Sequence, residues 1–189
     1  MVTMESEKIL TLKAVILYII KNSKTDKRDV YSIVKTAYFA QQNHLAEYGT
    51  QIFDDKITAL PFGPVPSAVY DILKFSRGDK KPSGYQRDQL LSEVAKSIGF
   101  SKETFSAKEL PDMDYLSASD IKSLDAAIAK VSKMSFNDIK SKTHGEEWTR
   151  ASKTRTKLLD TVAIAREGGA SEDMISYLQA NIELQSVLG

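Results

Sequence analysis

His44 and His144 are the two imidazoles of the chain, and cysteine is absent. Acid–base or metal chemistry would therefore have to come from histidine and carboxylates, with no thiolate to help. The densest grouping is Thr143-His144-Gly145-Glu146-Glu147-Trp148, which also holds the single tryptophan. His144 with Glu146, with Glu147 or with His44 can form an acid–base pair or part of a metal site. The spacings that build such sites are missing, however: there is no H-E-x-x-H, no G-x-S-x-G and no phosphate-cradling G-x-x-x-x-G-K-[ST]. The expectation is no catalytic residue, no metal and no cofactor, with the histidines as structural or surface groups. Trp148 then reads as a core or core-edge residue whose N–H finds a partner.

Two cationic stretches can contact other molecules. Arg77–Gln89 sets Tyr85 among Lys80, Lys81 and Arg87, and Arg150–Lys157 is the densest cluster of positive charge. Both read as solvated segments, because 26 basic residues face 25 acidic ones and the net charge is +1. A chain without a global basic field lacks the usual electrostatic drive toward nucleic acid. No separate helix-turn-helix segment is evident either, which argues against a DNA-binding autorepressor.

The elements that must hold these residues are mainly helical. Length and composition suit one folded domain, and the lack of cysteine fits a reducing cytoplasm. Ala14–Ile20 is the longest apolar run, too short for a membrane span and without the flanks of a signal peptide. Leu12, Val15, Ile16 and Ile19 recur at helical spacing, thickened by Tyr18 and Ile20, and predict a central buried helix. Asp26 is the expected cap of a second helix, which Gly49 closes after Tyr48. A short polar turn between the two makes antiparallel pairing the default.

Next, Gln51–Phe53 and Ile57–Ala59 read as a small β-hairpin around Asp54-Asp55-Lys56, and Pro61 ends it. Phe62-Gly63-Pro64-Val65-Pro66 reads as the start of a third helix running to about Ser76, with Val65, Val69, Ile72 and Leu73 buried. Arg77–Gln89 is expected to be a loop, Leu90–Ile98 a helix and Phe100–Tyr115 irregular or weakly extended. Ser117 with Asp120, or Ser119 with Lys122, starts a helix with Ile121, Leu124, Ile128 and Val131 in phase. Ser135 with Asp138 caps another, through about Lys142. Gly168-Gly169 separates Leu158–Arg166 from a last helix that opens at Ser171, with Met174, Ile175, Leu178 and Ile182 inward and Leu184 and Leu188 as a second row. The predicted fold is mainly α: one domain of about six to eight helices, with a small β-hairpin after the second.

Several of these residues carry a family resemblance. Lys35-x-x-Tyr38-x-Ala40, then Phe53-x-Asp55-x-Ile57-x-Ala59, then Phe62-Gly63-Pro64-Val65 with Tyr70, resemble the Panacea domain of SocA-like antitoxins and phage-associated GepA-like proteins. Leu116–Asp120, Leu124-Asp125, Ser135, Thr143-His144 and Trp148 resemble its later run. The resemblance spans about residues 8–155, leaving 156–189 as a helical extension expected to pack on it. Two features depart from the pattern: Leu60 stands where the family commonly has tryptophan, and the His144-to-Trp148 spacing is longer, with no proline before Trp148.

The resemblance implies a cytoplasmic antitoxin that binds and neutralises a cognate protein toxin, by binding and not by chemistry. In the alternative it implies an adaptor that delivers the toxin to an ATP-dependent protease. The implied motif or partner-surface residues are Lys35, Tyr38, Phe53, Phe62, Gly63, Pro64, Val65, Tyr70, His144 and Trp148.

Overall fold

Helix α1 (Met4–Asn22) is enclosed on most of its circumference, with Leu12, Ala14, Val15, Ile16, Leu17, Ile19 and Ile20 all buried. The expected stripe is there, and Ala14 and Leu17 widen it into the centre of the core. Half-buried Tyr18 donates its hydroxyl to Asp125 Oδ1 at 2.8 Å, and burial together with that carboxylate pushes the phenol up to about 12. The structure, a computed structural model, describes residues 4–188 and the side chains of 5–184.

Asp29, not Asp26, caps helix α2 (Val30–Tyr48): its carboxylate accepts from Ser32 N at 2.9 Å and Ser32 Oγ at 2.6 Å. Asp26 is absorbed in a 3-10 turn at Thr25–Lys27, too early in the chain to reach the helix's free N–H groups. Gly49 ends α2 as expected, at φ +66° with its N–H on Leu45 O. The principal partner of α2 is helix α5 (Ala118–Val131), and the chain near the C-terminus (Thr161–Glu167) packs on it more extensively than α1 does, so pairing between α1 and α2 is only part of its packing.

The first hairpin lies one step later than its expected position. Strand β1 (Ile57–Leu60) pairs antiparallel with β2 (Gly63–Pro66) across a Pro61-Phe62 turn, and Gln51–Phe53 is not a strand. The two prolines fit because of the register. Ile57 and Ala59 turn their backbone groups away from β2, toward Leu159 N at 2.9 Å and Lys157 O at 2.7 Å. Their cross-strand partners Pro66 and Pro64 therefore sit where no N–H is demanded. Val65 belongs to β2, and helix α3 (Ser67–Arg77) starts after it with Ala68, Val69, Ile72 and Leu73 buried.

Helix α4 (Gln86–Ala95) takes the last part of the expected Arg77–Gln89 loop. Phe100–Tyr115 holds most of a second hairpin instead of irregular chain: β3 (Ile98–Ser101) pairs with β4 (Thr104–Ala107), and a 3-10 turn follows at Met113–Tyr115. Its two-residue turn, Lys102-Glu103, has φ +50° and +62°. Mirror-image turns of this kind match strand twist but normally draw Asn and Gly, so Lys-Glu gave no signal.

Ser117–Asp120 forms a reciprocal capping box on α5, and Ser135–Asp138 forms another on α6 (Phe136–Thr143). Helices α7 (Glu146–Ser152), α8 (Thr161–Glu167) and α9 (Glu172–Leu188) complete the chain. The described residues thus hold nine α-helices and two small antiparallel hairpins, a mainly helical fold. Buried Leu159, Ile164, Ala165, Ile175 and Leu178 join the same apolar core as α1 and α2. Ile182, expected inward, is exposed, as is Leu184, while the Leu188 side chain lies outside the described residues. Among the described residues no helix is long and apolar enough to cross a membrane.

Candidate interaction site

Three side chains distant in sequence converge on the first hairpin, each with a nitrogen facing one of its carbonyls. Lys35 Nζ on α2 reaches Pro64 O at 2.7 Å, Trp148 Nε1 on α7 reaches Leu60 O at 3.0 Å, and His144 Nε2 lies 3.2 Å from Pro61 O. The His144 and Trp148 rings contact each other with centroids 3.8 Å apart. The other His144 nitrogen, Nδ1, lies 2.6 Å from Lys140 O. Both ring nitrogens face carbonyls, so a neutral imidazole can donate to only one of them.

Gly63 closes the arrangement. It adopts φ +100°, and a Cβ there would come within 2.7 Å of both Lys35 Nζ and Thr143 Oγ1. The close approach lets a buried amine reach β2 from below. Burial without a carboxylate partner pushes Lys35 down to about 7.

The chain leading into the hairpin is fixed in the same way. Gln41 Nε2 donates to Phe53 O at 3.0 Å, and its Oε1 accepts from Ile52 N at 2.9 Å. Buried Asp55 accepts from Ala68 N at 2.8 Å and Val69 N at 3.3 Å, capping α3 from outside its own sequence. Desolvation outweighs those N–H contacts and pushes the Asp55 carboxyl up to about 6.

Most of the motif residues therefore act through the fold. Lys35, Tyr38, Phe53, Gly63, Pro64 and Val65 are buried, and Tyr70, His144 and Trp148 are half-buried. Burial, then Glu167 and Glu147, hold the Tyr38 phenol well above its ordinary range. Lys74 Nζ covers the Tyr70 ring at 4.6 Å. Phe62 is the outlier, 59% exposed at the hairpin tip. It meets Phe136 at a centroid distance of 6.0 Å, and Phe136 in turn meets Tyr31 at 4.5 Å.

The groupings that suggested chemistry do not come together. Glu147 is occupied by Arg150 Nε at 2.7 Å, Arg150 Nη2 at 2.6 Å and Asp160 N at 2.6 Å, not by His144. His44 is buried between α2 and α5, with Nδ1 2.7 Å from Thr50 O and Nε2 3.2 Å from Asp120 Oδ1. Around exposed Tyr85, Lys80 pairs with Asp71 at 2.7 Å and Arg87 with Glu5 at 2.9 Å. Sequence reasoning missed Gln41, Asp55 and Phe136 as site residues. A polar residue inside the apolar periodicity of α2 was the available signal for Gln41, and a large aromatic directly after a serine cap was the signal for Phe136.

The family model described as "Antitoxin SocA-like, Panacea domain" matches residues 33–149, from the first turns of α2 to within α7. Comparisons with curated proteins and with solved structures gave no match. The matched segment covers well over half of the chain and contains Lys35, the entire hairpin, His144 and Trp148. This chain belongs to the SocA-like antitoxin family defined by the Panacea domain.

Proposed function

We propose that the protein is a cytoplasmic antitoxin that neutralises a cognate protein toxin by stoichiometric binding, without chemistry of its own. The observation that carries the reading is the family match over residues 33–149. The geometry is compatible with a binding role: the matched polar side chains are spent on backbone carbonyls and N–H groups, which fixes the hairpin and leaves an aromatic side chain outward at its tip. A preformed surface of this kind loses little conformational entropy on association.

Co-expression with the product of the adjacent gene tests the proposal. The expected result is rescue of growth from that product's toxicity and a complex that co-purifies. Failure of both overturns it. Toxin levels that fall only when an ATP-dependent protease is present would mark delivery for degradation in place of blocking.

A further inference from the structure

Residues 130–142 carry four lysines, Lys130, Lys133, Lys140 and Lys142, against one carboxylate, Asp138. That carboxylate is engaged by Ser135 N at 2.9 Å and Ser135 Oγ at 2.6 Å. None of the four lysines forms an ion pair among the described residues, although cations elsewhere on the surface do: Lys8 with Asp54, Lys80 with Asp71, Lys122 with Glu47. Lys142 also lies close enough to Lys130 that burial and the Lys142 charge hold the Lys130 amine below its ordinary range.

This excess of positive charge reaches the exposed aromatic pair tied to the hairpin through Lys140. Phe62 and Phe136 are 59% and 47% exposed, large apolar surfaces whose hydration is unfavourable. Lys140 Nζ stands 5.9 Å from the Phe62 ring. Beneath them Tyr31 packs against Phe136. The His144 and Trp148 contacts fix Pro61 and Leu60, the two residues that lead into Phe62, so the aromatic centre is presented on a fixed support.

We propose that this patch, Phe62 and Phe136 at its centre with Lys140 beside them and Lys133 and Lys142 on the adjoining chain, is where the protein seats an acidic surface of its toxin. The inference rests on the antitoxin reading above and adds the face and the partner's chemistry. An apolar centre with a charged rim is the usual build of a protein interface: the aromatics supply affinity and the charges supply steering and orientation. A protein partner suits the patch better than nucleic acid. The cations are few, all are lysine, and the chain as a whole is nearly neutral, at net +1.

The test compares the unmodified chain with Phe62→Ala/Phe136→Ala, with Lys140→Glu/Lys142→Glu, and with the distant control Lys96→Glu, each co-expressed with the adjacent gene's product. Thermal melts establish that each variant folds. Because Phe136 also packs on Tyr31, the lysine pair serves as the variant with least effect on the fold. The expected result is rescue by the unmodified chain and the control, and loss of rescue by both patch variants. Their affinities for the purified toxin should fall on the order of 30-fold or more. Binding by the unmodified chain should also weaken about tenfold between low and high salt. Folded patch variants that still rescue growth overturn this inference alone. Absence of both rescue and a co-purifying complex with the unmodified chain overturns the antitoxin reading and this inference with it. Displacement of the toxin by a single-stranded oligodeoxynucleotide would make the patch a nucleic-acid site and overturn it as well.

Discussion

Lys35 shows how a side chain that looks like a surface cation becomes a structural part. Its aliphatic stem fills space in the core and its amine meets one carbonyl, Pro64 O, with no carboxylate to stabilise the charge. An ammonium has three donors, and burial with one good acceptor favours the neutral amine. The sign of the pH dependence follows. Lys35 is pushed down to about 7 in the fold, against about 10.4 in an unfolded chain. Between those values the unfolded state binds more protons, so stability rises with pH. It is lost as pH falls through the folded value. From about pH 7 to about pH 9 the gain from this one group is roughly 2 kcal/mol. Urea melts of the unmodified protein should show it, and Lys35→Met should remove most of the rise, whatever its effect at a single pH. An unchanged slope in Lys35→Met would show that the amine is not the titrating group. Asp55 works in the opposite sense at lower pH. Its carboxyl, pushed up to about 6, contributes stability below about pH 4 that is lost as pH rises through 6. The apolar period of α2 made Lys35 visible as a helix residue. Its burial was not visible, because nothing in a local pattern tells a lysine on a solvated face from one beneath a glycine 28 residues later in the chain.

At the scale of elements, the hairpin is a lock assembled from parts. Caps and glycine stops are local, which is why Gly49, Ser117 and Ser135 were legible in the sequence and the helix ends they mark fell where expected. The register of β1 against β2 is not local. Two prolines argue against a strand until a second edge, Lys157–Leu159, takes the backbone groups of Ile57 and Ala59. The lock predicts a graded effect of adding a methyl group to two glycines that share a positive φ. Gly78 has φ +87° with no atom within 4 Å of a built Cβ, so Gly78→Ala should cost only the conformational strain, about 1 kcal/mol. Gly63 has φ +100° and a built Cβ 2.7 Å from both Lys35 Nζ and Thr143 Oγ1. Gly63→Ala must bear the strain of its own positive φ and also displace a buried amine from its acceptor, for a total of about 3 kcal/mol. Chemical denaturation of the two variants gives the comparison directly. Equal losses would mean that the close approach at Gly63 contributes nothing to the fold.

At the scale of the whole molecule, the boundary of the family match and the boundary of the folded core differ. The match stops at residue 149, within α7. Beyond it, Ala151, Leu159, Ile164, Ala165, Ile175 and Leu178 are all buried in the same core as α1 and α2. Met174 Sδ lies where a Cβ on Gly49 would be 2.7 Å away, so α9 closes over the end of α2. Asp160 N and Glu167 Oε1 both bind Glu147, at Oε1 and N respectively, tying α8 back to α7. Burying one large aliphatic side chain is worth about 1.5–3 kcal/mol. Four of the buried residues that a cut after Ser152 removes, Leu159, Ile164, Ile175 and Leu178, are large aliphatics, and their loss, roughly 6–12 kcal/mol, is comparable to the roughly 5–15 kcal/mol by which a domain is stable at all. A chain truncated after Ser152 would also free one edge of β1 and uncover part of α2. It should therefore show no cooperative thermal transition, and it should expose apolar surface that drives association on size exclusion. The alternative outcome is a monomer that melts cooperatively within a few degrees of the full chain. That result would make residues 153–189 an appendage to a self-sufficient core, whereas the packing of α8 and α9 on α2 makes them part of it.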